Sequence, residues 1–105
     1  MFDLPFTIRA LVGTGDLVSF IAERDGKQLA IVKYMIGNVK RRASTAEAWV
    51  NDERLCGKLS AKMRGRMKSA IEGELQAAEL RARKELDERA EAENQAQLLE
   101  AEESL

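Results

Sequence analysis

Between residues 16 and 36 the chain writes two strand-like runs, "DLVSFIAE" and "KQLAIVKYMI", on either side of Arg24-Asp25-Gly26, and both runs are apolar on both faces. Strand alternation puts Val18, Phe20, Val32 and Tyr34 on one side and Leu17, Ile21, Leu29 and Ile31 on the other. A small sheet with two apolar faces cannot leave both wet. One face must meet a helix, and the second must meet another helix, a second subunit or a partner.

A third run precedes the hairpin. "FTIRALV" alternates Phe6, Ile8, Ala10 and Val12 with Thr7, Arg9 and Leu11, and Gly13-Thr14-Gly15 supplies the turn into the next strand. The same glycines in "GTGD" could suggest a phosphate loop, but such a loop needs a following helix N-terminus, and here a strand follows. For the hairpin a three-residue loop with Gly26 left-handed is favoured, because it sets Glu23 opposite Lys27, whereas a two-residue loop sets Arg24 opposite Lys27.

After Gly37-Asn38 the pattern becomes helical. Ser44 with Glu47 three residues on reads as a capping box, so a helix is expected from near Thr45. On one continuous helix Trp49, Cys56, Leu59, Met63, Met67, Ala70, Ile71 and Ala78 fall within a sector of roughly 120°. That unbroken stripe favours one long or mildly kinked helix. The alternative is a break at Gly57 with a second helix after Ser60. From Gln76 onward Ala, Glu, Arg and Leu dominate, with Glu79–Arg83 and Glu85–Arg89 as i,i+4 pairs but no strict heptad. The expected architecture is α+β: a three-stranded antiparallel meander packed on a long amphipathic helix over residues 1–75. A charged helical tail follows over 76–105, disordered at its end.

Charge divides the chain. Residues 1–68 carry 13 Lys or Arg against 7 Asp or Glu, while residues 69–105 carry 4 against 11. Such asymmetry fits a basic binding surface with an acidic tail, or a tail that folds back to mask it. The candidate partner-binding residues are Lys40, Arg41 and Arg42 entering the helix and Lys58, Lys62, Arg64, Arg66 and Lys68 along it. Clustered Lys and Arg bind phosphates with release of counterions, so an anionic partner is expected, nucleic acid ahead of an acidic protein surface. Base-stacking aromatics are missing from this set.

Other chemistries are disfavoured. Histidine is absent, removing the commonest general acid/base and metal ligand, so neither an enzyme nor a metal or cofactor is expected, and no small-molecule substrate. Asp52 and Glu53 point about 100° apart on a helix and read as solvated charges rather than a catalytic pair. Arg41-Arg42-Ala43-Ser44 has the pattern of a basophilic kinase substrate, yet capping already accounts for Ser44. The single Cys56 among apolar neighbours indicates a buried thiol in a reducing compartment, and no run approaches the ~20 apolar residues of a membrane span, so a cytoplasmic protein is expected.

Three antiparallel strands followed by a helix opening with "STAEAWV" resemble, over roughly residues 6 to 55, the arm-type DNA-binding domain of tyrosine recombinases and its plant transcription-factor relatives, with Ala48 and Trp49 in corresponding places. The resemblance implies a sheet that reads the major groove, for which Arg9, Arg24, Lys27 and Lys33 are the basic candidates. The many Leu, Ile, Val and Phe of these strands depart from that pattern. The rival function is a small inhibitor or adaptor, of the kind phages and mobile elements encode, docking on a host protein through the second apolar sheet face. Self-association into a homo-oligomer is expected on the same ground.

Overall fold

The computed structural model describes residues 4–13 and 15–103. Three strands, β1 (Thr7–Val12), β2 (Leu17–Arg24) and β3 (Lys27–Met35), form an antiparallel meander in the order β1-β2-β3. Three helices follow: α1 (Val39–Val50), the single turn α2 (Glu53–Cys56) and α3 (Ala61–Glu103). The α+β architecture expected from the sequence is the one observed.

The hairpin register differs from expectation. Arg24 pairs with Lys27 across a two-residue loop in which Asp25 (φ 53°) and Gly26 (φ 76°) both take positive φ, the geometry of a type I′ turn. The like charges are tolerated because Arg24 turns away from Lys27. Its guanidinium donates to the carbonyls of Leu55 (3.1 Å) and Arg54 (3.4 Å), at the negative end of α2. A bulge beside Ala22 then resets the register, and Glu23 pairs with Arg9 of β1 at 2.8 Å instead of with Lys27.

The helices also divide where the stripe suggested continuity. α1 starts at Val39, six residues before the expected Thr45, because Asn38 caps it: Asn38 Oδ1 accepts from the Arg41 N–H at 3.1 Å. Ser44 is therefore no cap. It lies inside the helix and donates back to the Arg41 carbonyl at 3.1 Å, as does Thr45 at 2.7 Å. Asp52 caps α2 through the Arg54 N–H at 2.9 Å, and Gly57 at φ 69°, ψ −163° ends it. Ser60 Oγ accepts from the Met63 N–H at 3.3 Å, opening α3. The break at Gly57 is the alternative that the sequence left open.

The stripe residues nonetheless reach the core. Trp49 of α1, Cys56 of α2 and Met67, Ile71 and Ala78 of α3 are buried, joined by Leu55, Leu75 and Ala82. They cover the sheet face bearing Val18, Phe20, Ala22 and Tyr34. Phe6 meets Trp49 edge to face with ring centres 6.1 Å apart, and Phe20 stacks on Tyr34 at 4.5 Å. The core runs past Leu75 along α3, with Leu86 packed at its margin, so the helix crosses the compositional boundary at 75/76 without interruption. The charged tail expected over 76–105 is helical as far as Glu103, and residues 104 and 105, within the end expected to be disordered, lie outside the described residues. Among the described residues no helix is long and apolar enough to cross a membrane.

Candidate functional site

The eight basic residues expected to bind a partner do not form one surface. Arg42 is turned inward: its side chain is 16% exposed and its Nε and terminal nitrogen both bond the carboxylate of Glu79, itself 2% exposed. Tyr34 Oη donates to the same carboxylate at 3.2 Å and the Gly37 N–H at 2.8 Å. Burial alone would raise the carboxyl pKa of Glu79, but the donors from Arg42, Gly37 and Tyr34 outweigh it and hold the pKa below the usual carboxylate value. Burial, with Glu79 alongside, pushes the Tyr34 phenol upward, so it stays protonated as a donor. This network ties β3, the turn after it, α1 and α3 together.

Lys68 is likewise engaged, pairing with Glu47 of α1 at 3.1 Å and depressing the Glu47 carboxyl pKa by that contact. Arg64 donates to the Leu59 carbonyl at 3.2 Å. These two cross-links show that α1 and α3 run antiparallel: residue 47 meets 68 and residue 42 meets 79, about 16 Å apart along α3 at ~1.5 Å per residue. Lys40 and Arg41, exposed on the first turn of α1, therefore stand at one end of the helix pair. Lys58, Lys62 and Arg66 stand at the other, exposed around the α2–α3 junction, and form no ion pair among the described residues.

The second sheet face is open. Leu11, Leu17, Ile31 and Met35 are 46–53% exposed, arranged around Ile21, which is 2% exposed. The charges on this face are Lys33 and the Arg9–Glu23 pair. That is not the polar, basic surface implied by the resemblance to groove-reading sheets, because Arg9 is matched by Glu23 and Arg24 is held at α2.

A cleft of about 630 Å³ lies between the β1–β2 turn, the end of β3 and α3. Its lining mixes Asp16 and Asp87 with Arg83 and Arg89, and Arg89 donates to the Gly13 carbonyl at 3.3 Å. Among the described residues no buried side-chain polar atom lacks a partner, and no three Cys, Asp or Glu side chains are grouped to hold a metal ion. Cys56 is buried with its thiol against the Trp49 carbonyl at 3.5 Å, and burial raises its pKa, away from the reactive thiolate.

Sequence reasoning missed the Glu79 network and the Asp52 cap. Asp52 was legible as a cap, since it is a cap-forming residue three positions ahead of Leu55 and falls within the 120° sector of the apolar stripe, where a polar side chain is out of place on a continuous helix. Glu79 carried no such signal, because its partners lie 37 or more positions away. The chain matches no protein-family model, and comparison with curated proteins and with solved structures likewise gives no match.

Proposed function

We propose that this is a non-enzymatic binding protein whose basic end, built from Lys58, Lys62 and Arg66 with Arg64 beside them, engages the phosphate backbone of a nucleic acid. The observation carrying this reading is that the first three are exposed, unpaired among the described residues and gathered where α3 begins. There the free N–H groups and dipole of the helix add to their positive potential. Trp49 and Tyr34 are buried, so no aromatic platform adjoins these residues; binding rests on phosphate contacts and is indifferent to sequence. Arg42 drops out of the set and Lys40 and Arg41 belong to a separate end. A reducing cytoplasm suits the buried Cys56 thiol.

The test is binding of short single- and double-stranded oligonucleotides, followed by fluorescence anisotropy across salt. Affinity should fall steeply with salt, and Lys58→Glu, Lys62→Glu and Arg66→Glu together should flatten the log–log slope by about 2 to 3, at ~0.7–0.9 per lost phosphate contact. Absence of binding at low salt, or an unchanged slope in the triple variant, overturns the reading.

A further inference from the structure

We propose that two copies of this chain pair through the outer side of α3, antiparallel, about a two-fold axis between Gln76 and Ala77. At about 100° per residue Lys62, Arg66, Gly73, Leu80, Asp87 and Glu91 fall within a sector of about 60°, opposite the buried Ile71 and Ala82. All six are exposed, and Leu80, at 65%, is more open than any apolar residue of the uncovered sheet face. The four charged ones form no ion pair among the described residues. Glycine is a poor helix former, and the fold of one chain gives no reason for it at position 73: its φ is not positive, and a Cβ there would meet nothing within 4 Å. A glycine so placed suits the close approach of another chain.

The order of these residues along the helix selects a second copy as occupant. Gly73 and Leu80 lie equally far from the point between Gln76 and Ala77, about 5 Å to either side at ~1.5 Å per residue. Arg66 and Asp87 likewise each lie about 16 Å from it, and Lys62 and Glu91 about 22 Å. A two-fold axis at this point, perpendicular to the helices, seats Leu80 over Gly73 of the partner subunit. It sets Arg66 beside Asp87 of the partner subunit and Lys62 beside Glu91 of the partner subunit, and each contact occurs twice, as an isologous interface requires. Lys84, the remaining charge in this sector, lies over Ser69 of the partner subunit, where a shallow depression between small residues takes its aliphatic stem. The sheets then lie on the outer sides of the pair, one on each.

The contact is small and its ion pairs are exposed, so association is weak, with a Kd on the order of 100 µM. The pair occupies Lys62 and Arg66, so it competes with phosphate for them without depending on any nucleic acid. Oligonucleotides titrated at low micromolar protein meet the monomer, with both side chains free.

Sedimentation equilibrium on the full chain at up to about 500 µM tests this, with far-UV circular dichroism as the fold control. The parent should show a monomer–dimer equilibrium that weakens as salt rises from about 50 to 500 mM, because the charge pairs are screened. Leu80→Glu, on an exposed side chain, should leave the dichroism intact and weaken dimerisation about 10-fold or more. Lys62→Glu together with Arg66→Glu should do the same, and adding Asp87→Lys and Glu91→Lys should restore most of the loss, because both pairs are only reversed. A monomeric parent overturns the proposal, as does a dimer indifferent to Leu80→Glu; one lost on Ile31→Glu instead would place the interface on the sheet. Failure of the reversed pairs to restore association overturns the antiparallel arrangement.

Discussion

Glu79 keeps its charge in the interior because donors from three places converge on it: the Tyr34 hydroxyl from β3, the Gly37 N–H from the turn and the Arg42 guanidinium from α1. Removing the acceptor strands all of them. Glu79→Ala should cost about 3 kcal/mol or more in urea unfolding at neutral pH, since an uncompensated Arg42 remains largely buried. The pH dependence follows from the lowered pKa of Glu79 in the fold. Its stabilisation is fully present above the unfolded carboxyl value of about 4.3 and is lost as pH falls through the lower folded value. Thermal melts from pH 7 to 3 should show this acid limb, and Glu79→Gln should make it shallower. A parent and Glu79→Gln that lose stability in parallel would place the acid sensitivity elsewhere.

At the scale of elements, the division of the helices depends on backbone geometry that particular residues permit. Gly57 sits at φ 69°, ψ −163°, a region essentially reserved for glycine, with open space where a Cβ would be. Gly57→Ala should therefore cost about 1 to 3 kcal/mol through backbone strain alone. Gly65, inside α3 and equally open, should respond with the opposite sign: Gly65→Ala should stabilise by up to about 1 kcal/mol, since alanine is the better helix former. Urea unfolding of both variants checks the pair. If Gly57→Ala were as benign as Gly65→Ala, the helix would have to pass through residue 57 after all.

Over the whole molecule, α3 sets the shape. Its 43 residues span about 64 Å at ~1.5 Å each, which accounts for the 67 Å long axis and for a radius of gyration of 17.6 Å, above the ~13 Å of a compact chain of this length. The helix runs from Lys62, Arg64, Arg66 and Lys68 at its start to an acidic stretch from Glu85 to Glu103 that carries eight Asp or Glu against Arg89. A continuous helix holds these ends apart, so the tail does not fold back over the basic end of its own chain. Glu91 lies about 37 Å along the helix from Arg66 at ~1.5 Å per residue. Charges that far apart are largely screened when the Debye length is about 8 Å at physiological salt. Deleting residues 90–105 should accordingly change oligonucleotide affinity by less than about 2-fold at that ionic strength. A rise of about 10-fold would mean that the tail masks the basic residues, within the chain or from a neighbouring one.

Local rules were enough for the strands, because alternation, Asp25-Gly26 and the glycine turn all act within a few residues, and for most of the core, because each helix directs Trp49, Cys56, Met67 or Ile71 by its own periodicity. Local rules also underlay the errors. Ser44 and Glu47 satisfy a capping pattern, but Asn38 caps first, and the helix-compatible run Val39–Ala43 lets the helix begin there. A repulsion between Arg24 and Lys27 argued for the wrong hairpin loop because the carbonyls of Leu55 and Arg54, some thirty positions away, could not be counted. Arg42 and Lys68 looked like members of one basic surface until folding set Glu79 and Glu47 against them. Periodicity and turn chemistry are properties of neighbours in the chain, and the sequence displays them directly. Which charges stay free for a partner depends on pairings between residues far apart in the chain, and only the packing of α1 on α3 and the sheet decides those.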